Sequence, residues 1–480
     1  MNRYLLLLIA LAIGNVSIGQ DQPTPTAKKT FNLEQSIAYA LENNISIQNA
    51  ELDEKIANGR VKETRGIGLP QVDASASLLH NQKLPRFFGQ VSDQNPILSE
   101  IPGVENGQVV ALQNFFQLKS SGDAGVKINQ LLFNSSYLVG LQAANAYRDL
   151  AVKTSDQNKE QVIQNVSKAY YACLINRDRV TLFESNIARV DSLLRTTTAL
   201  YENGFAEAID VDRIKVTLNN LKVEQSKFLR LQELSYHLLK FQMNYPIDQD
   251  IDVQGDLSSI EISGDVLNQY SVNWDYAQRT DYRLLEANRK LQALNLKNKY
   301  AEGLPSLNAF ANLGYSTQSP TISGIFKTET DLPDLGVIGP DKWYSYTNFG
   351  VSLNIPLFSG LQRTYKIQQA KLELQKTDNN FRSLKSGIDL EIRQVAANYL
   401  NSVETVEAQK QNSELAANVA RVTKIKFEQG VGSNLEVVEA ESALREAQVN
   451  YYNALYDAIV AKIDLDKAYG KLTQPSTETK

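Results

Sequence analysis

Few residues of this chain have a type and spacing that could do covalent chemistry. His80 and His237 are its only histidines and Cys173 its only cysteine. None stands near a Cys or Asp/Glu cluster at the spacing that a zinc site or a histidine-based triad needs. Cys173 lies in a helical run and reads as a small buried hydrophobe. A single cysteine forms no intrachain disulfide, and its position excludes a lipid-modified cysteine at a leader cleavage site. The expectation is a chain that is not an enzyme, with no catalytic residue, cofactor or metal. Glu436 and Glu439 follow the stretch Gly430-Val431-Gly432 and suit the positive N-terminal end of a helix.

The elements that carry such residues are bounded first by composition. At 480 residues the chain is long for one core, yet no compositional break marks independent globular units. Lys and Arg total 49 against 54 Asp and Glu, a net charge of −5, with no basic stripe interleaved with aromatics, so no nucleic-acid partner is expected. Arg3, the apolar run Leu5–Ile13 and the small residues Ser17-Ile18-Gly19 read as a signal peptide over residues 1–19 and an exported chain. No later stretch reaches the roughly 18 consecutive apolar residues of a membrane-spanning helix. Any membrane contact must use strands.

The chain repeats itself in order. Gly68–Leu78 (GLPQVDASASL) returns as Gly303–Leu313 (GLPSLNAFANL), Gly125–Ser136 (GVKINQLLFNSS) as Gly350–Leu361 (GVSLNIPLFSGL), and Tyr201–Gln225 is echoed by Phe427–Asn450. The repeated unit reads as strand, loop, strand, long helix, tight turn and return helix. Its boundaries are 20–244 for the first repeat, with a strand pair over 70–133, an outer loop over 81–122 and a helical hairpin over 141–243. A linker spans 245–275. The second repeat covers 276–471, with a strand pair over 305–356, an outer loop over 316–345 and a hairpin over 361–470, leaving a tail over 472–480. Leu141–Asn203 lacks both proline and glycine, and Leu361–Gln429 is interrupted only by Gly387, which permits helices of about 60 residues. Val180, Phe183, Ile187, Val190 and Leu194 step by threes and fours, as do Ala440, Ala443, Ala447, Ala454, Ala458, Ala461, Leu465 and Ala468, the pattern of coiled-coil seams.

Four segments alternate instead: Val72–Leu78, Val126–Asn129, Leu307–Leu313 and Phe349–Ile355. Each offers about 10 residues, the length of a tilted strand across a bilayer. Strands in lipid must close a barrel, and the smallest such barrels have about eight. One chain supplies four, so copies must pool them. Trp343, Tyr344, Tyr346, Phe358 and Phe133 flank the strands where an interfacial aromatic girdle is expected, and Asn308, Asn312, Ser352 and Asn354 supply a small polar lumen.

These motifs, in this order and duplicated, resemble the outer membrane efflux protein family of TolC-like channels, over about Phe31 to Leu472. The resemblance implies a mainly α chain with membrane β: a homotrimer whose twelve strands form one barrel in the outer membrane, continued by an α-helical tunnel in the periplasm, with 245–275 as an equatorial linker. It implies a passive exit duct of a tripartite efflux pump or type I secretion system. The implied partners are a periplasmic adaptor (membrane fusion) protein, an inner-membrane transporter of RND, ABC or MFS type, and outer-membrane lipid. It implies that Glu436 and Glu439 form acidic rings at the periplasmic entrance and that Asp210 holds the acidic position of the first turn. Gly204, Phe205, Ala206, Gly430, Val431 and Gly432 would be the adaptor-contact tips. A tyrosine and an arginine that hold such channels closed match Phe427 and Gly432 here, so that lock is absent or built differently. The alternative is a secreted or periplasmic coiled-coil structural or adaptor protein without a pore.

Overall fold

The computed structural model describes residues 28–472 except 93, 95–97, 99, 101, 115–116, 258–259, 261, 272–273 and 328–341. The expected leader, nearly all of the expected tail and the middle of the second outer loop lie outside the described residues. The chain runs β1 (Lys29–Phe31), α1 (Leu33–Asn43), α2 (Ile45–Gly66), β2 (Gln71–His80), β3 (Phe87–Gln90), β4 (Val109–Leu112), β5 (Ser120–Asn134), α3 (Ser135–Glu202) and α4 (Ala208–Met243). It continues through β6 (Ile251–Val253), α5 (Val266–Ser271), α6 (Thr280–Ala301), β7 (Ser306–Ser319), β8 (Tyr344–Asn354), α7 (Gln362–Glu428) and α8 (Asn434–Ala468).

The two repeats do not form separate bodies. Each of two compact units draws on both halves of the sequence: one takes Asp53–Val152 and Leu285–Phe381, the other the segment ending at Leu52, Lys153–Leu284 and the segment from Arg382. The reason is visible in the sheet. β5 of the first repeat pairs with β7 of the second, giving the antiparallel order β2-β5-β7-β8.

Register sorts this sheet into two faces. Val72, Ala74, Ala76 and Leu78 align with Ile128, Val126, Ala124 and Gly122, and these with Ala311, Leu313, Tyr315 and Thr317. Phe349, Val351 and Leu353 complete the apolar face. The opposite face carries Asp73, Lys127, Asn312 and Asn348 in one row and Asn308 beside Ser352 in another. Phe349 is 83% exposed. A surface so apolar is unfavourable in water and suits lipid.

Four expectations need correction. Tyr344 and Tyr346 do not precede the fourth strand: they lie within β8, opposite Ser316 and Gly314, on the polar face. There the Tyr346 ring covers Gly125 and Gly314, where a Cβ would fall within 3.1 Å of its hydroxyl. The first outer loop is shorter than 81–122, because β5 starts at Ser120, and it contains the β3–β4 hairpin. β7 likewise extends to Ser319, into the second loop. Helix α3 starts six residues before Leu141 and incorporates Gly140.

In the helical unit, α3 and α7 have 68 and 67 residues, each about 100 Å at 1.5 Å per residue. Gly387 interrupts neither helix nor hydrogen bonding, since one glycine costs about 1 kcal/mol against dozens of helical bonds. Phe183 and Val190 are buried as the seam requires, but on α8 the seam passes over Ala440 and Leu444 while Ala443 is exposed. β1 pairs in parallel with β6, tying the start of the described chain to the linker. Arg177 donates to the Val253 and Gly255 carbonyls at 3.2 and 2.9 Å and fixes that ribbon on α3.

Candidate functional site: sheet edges and hairpin tips

The two hairpin turns are built alike. Gly204 and Gly430 have φ of 77° and 76°, a left-handed conformation open to glycine at little cost. The N–H of Gly204 donates to the Tyr201 carbonyl and that of Phe205 to Leu200; Gly430 and Val431 repeat this with Phe427 and Lys426. Paired bonds of this kind close a helix C-terminus. They leave Phe205 and Val431 at 82% and 78% exposure, although neither contributes to a core. Gly432 has no unusual φ, and a Cβ there would lie 3.1 Å from Lys426 Cβ and the Phe427 nitrogen.

The return helices differ in charge. The Glu207 N–H donates to Asp210 Oδ2 at 3.4 Å, and Arg213 pairs with Asp210 at 3.4 Å. In the second turn Ser433 Oγ accepts from the Glu436 N–H at 3.2 Å. Counted from the turn, Glu436 occupies the place of Asp210 and Glu439 that of Arg213. The first tip therefore neutralises its carboxylate, whereas Glu436 and Glu439 share an exposed face with no cation paired to them among the described residues. Arg213 escaped the sequence reading; aligning the turns beyond their glycines would have found it. Phe427 is half-buried against the cluster around Phe183, Ile214 and Val437.

Both outer edges of the sheet, along β2 and β8, lack a paired strand among the described residues. The helices that flank those edges in sequence, α2 and α7, carry second apolar stripes, and so does α4. On α2, Ile47, Ala50, Ala57 and Val61 are buried while Ile45, Leu52 and Ile56 are exposed. At 100° per residue these groups lie on opposite sides of the helix. On α4, Ile209, Val216 and Val223 recur at seven-residue steps and are exposed opposite Val211, Ile214 and Leu218. On α7, Tyr365, Leu372, Leu390, Leu415, Val419 and Val422 oppose the buried Ala370, Ile388, Tyr399 and Ala420. The seven-residue spacing on α4 was legible in the sequence and marks a second contact surface.

At the joint of sheet and helices, Tyr137 covers Gly68, Ser136 Oγ donates to Asn298 Oδ1 at 2.7 Å, and Arg363 lies across Gly303. The helix ends thus follow the strand order. In the helical unit, buried Arg279 donates to Asp281 at 2.8 Å, to Glu391 at 2.8 Å and to the Ala468 carbonyl at 3.2 Å, joining three elements. Beside it Glu160, almost fully buried, accepts from Thr280, and burial raises its carboxyl above the usual range. Burial pushes the Cys173 thiol up to about 12, which keeps it protonated and unreactive. No helix among the described residues is long and apolar enough to cross a membrane, and no group of three or more His, Cys, Asp or Glu among them could hold a metal ion.

The model of the family described as "Outer membrane efflux protein" matches residues 37–239 and 277–471. The chain is 21% identical over 475 residues to "Outer membrane protein TolC" of Vibrio cholerae, covering 99% of this chain and 97% of that protein. It is 21% identical over 445 residues to "Probable efflux pump outer membrane protein TtgC" of Pseudomonas putida, covering 91% and 82%. The CmeC outer membrane channel of Campylobacter jejuni superposes with a TM-score of 0.67 at 16% identity, over 92% of this chain and 85% of that one.

Proposed function

This chain belongs to the outer membrane efflux protein family, and we propose on that premise that three copies close one barrel and act as the passive exit duct of a tripartite efflux pump or type I secretion system. The family is one of outer-membrane channels rather than enzymes, and an outer-membrane location goes with membership. The observation that carries the proposal is the pair of open edges. A four-stranded sheet with an apolar face cannot satisfy its edge backbone in lipid alone. Three copies, edge β2 against edge β8, supply twelve strands, within the range that membrane barrels use. The outward stripes of α2, α4 and α7 then become contacts between copies rather than surface exposed to water.

In this assembly the polar face lines the lumen, and the helices extend as a periplasmic tunnel. Copies of Glu436 and Glu439 gather at its entrance and favour cations. Gly204, Phe205, Ala206, Gly430, Val431 and Gly432 meet the periplasmic adaptor, which links the duct to an inner-membrane transporter of RND, ABC or MFS type. A pore-free coiled coil gives no use for an apolar sheet face. The test is fractionation: a heat-modifiable trimer in outer-membrane extracts that conducts ions in planar bilayers supports the duct, and a detergent-independent soluble particle refutes it.

A further inference from the structure

The four-stranded sheet holds four glycines: Gly122 and Gly125 on β5, Gly314 on β7 and Gly350 on β8. Glycine weakens the interior of a strand, so each position calls for a reason. At every one an aromatic ring takes the space that a side chain would fill. A Cβ at Gly350 would lie 2.8 Å from Phe310 Cζ, one at Gly314 2.8 Å and one at Gly125 3.1 Å from the Tyr346 hydroxyl, and one at Gly122 2.8 Å from Trp343 Cη2. Trp343 covers the apolar face, on which Gly122 aligns with Leu78, and its indole N–H donates to the Ile325 carbonyl at 2.8 Å. Phe310 and Tyr346 belong to the polar face, two residues along their strands from Asn312 and Asn348.

Side chains of a strand ordinarily stand roughly perpendicular to the sheet. These two rings lie across it instead. Phe310 reaches from β7 over its partner Gly350 on β8. Tyr346 reaches from β8 across Gly314 on β7 to Gly125 on β5, and its hydroxyl donates to Asp123 Oδ1 at 3.4 Å. Both rings are half-buried, one side against the backbone that the glycines leave bare. At Gly125 and Gly314 the facing backbone is as close as the ring, since the Leu313 and Ala124 carbonyl oxygens each lie 2.8 Å from the Cβ position. A side chain there would part the strands. At Gly350 the nearest atoms all belong to the Phe310 ring, so a side chain at that position would lift the ring and leave the ladder in place.

We infer that Gly350, Gly125 and Gly314 are positioning residues that set the bore of the barrel: they hold Phe310 and Tyr346 flat on the lumen wall and so fix the size of cargo that passes. The inference rests on the duct reading above, in which the polar face lines the lumen and any ring standing off the sheet narrows it once per copy. The test uses the full-length protein in intact outer membranes, with heat-modifiable assembly checked for every variant. Asn308→Cys supplies a reporter thiol on the helix side of both rings, and the chain's own Cys173 is buried. Maleimides carrying polyethylene glycol chains of graded length are added from outside, beside a small maleimide. In the Gly350→Val variant the small reagent labels as before, while labelling by the longest chains that enter the wild type falls several-fold. Phe310→Ala added to Gly350→Val restores their entry, a rescue that simple loss of packing does not give. Phe310→Ala or Tyr346→Ala alone leaves the size limit unchanged, because a ring already flat takes little from the lumen, and these arms keep the test decisive should Gly350→Val fail to assemble. An unchanged limit in assembled Gly350→Val, or a wider one in Phe310→Ala or Tyr346→Ala alone, overturns the bore assignment and leaves the duct standing. A thiol at position 308 that the small maleimide never reaches in the assembled protein overturns the duct, and the bore assignment with it.

Discussion

At the scale of residues, the tips yield the sharpest expectations. Gly204→Ala and Gly430→Ala force a side chain into the left-handed region and each cost about 1 to 2 kcal/mol, read as a lower melting temperature. Gly432→Ala is much milder, since Ala206 already holds the equivalent place in the first turn. Glu436→Gln with Glu439→Gln weakens the cation preference of the conducting protein, measured as reversal potential in a salt gradient, while Arg213→Gln strengthens it by freeing Asp210. Glu160 sets a pH dependence. Burial raises its folded pKa above the ordinary 4.5, so the folded state binds the proton more tightly than the unfolded one. Its contribution to stability is therefore present below about 4.5 and lost as pH rises through the folded pKa. Glu160→Gln should raise the melting temperature at neutral pH and flatten its rise on acidification. The turn glycines and tip carboxylates were legible in the sequence because spacing from a glycine is a local property. The contact of Arg189 on α3 with Glu441 on α8 was not, because it depends on which helix faces which.

At the scale of elements, the long helices were legible from the absence of proline, and the strands from strict alternation on both sides of the sheet. Their ends were less so. Gly140 and Gly387 sit inside helices long enough to absorb them, and Tyr344 and Tyr346 read as an interfacial girdle until cross-strand register placed both on the polar face, Tyr346 over Gly125 and Gly314. The β3–β4 hairpin, with four residues per strand, is too short for periodicity to reveal. The expectation that belongs to this scale concerns the second apolar stripe. Leu415→Asp or Val419→Asp, on the side of α7 away from the chain's own core, should leave helical content by circular dichroism unchanged while abolishing the heat-modifiable oligomer. The same change at Ala420, which is buried on the opposite side, should destabilise the single chain itself.

At the scale of the whole molecule, the duplication explains why the two compact units of the chain do not coincide with its two repeats. Each repeat brings two strands and a hairpin, and pairing β5 with β7 fuses the repeats into one sheet whose remaining edges must be satisfied elsewhere. The count of copies was not legible in the sequence, because strand number limits it without choosing among the multiples of four that membrane barrels allow. The most direct measurement is the native mass of the detergent-extracted mature protein. The account predicts a particle of three chains, each somewhat under the 53.5 kDa of the full sequence. A single chain that stays in solution without detergent would contradict it.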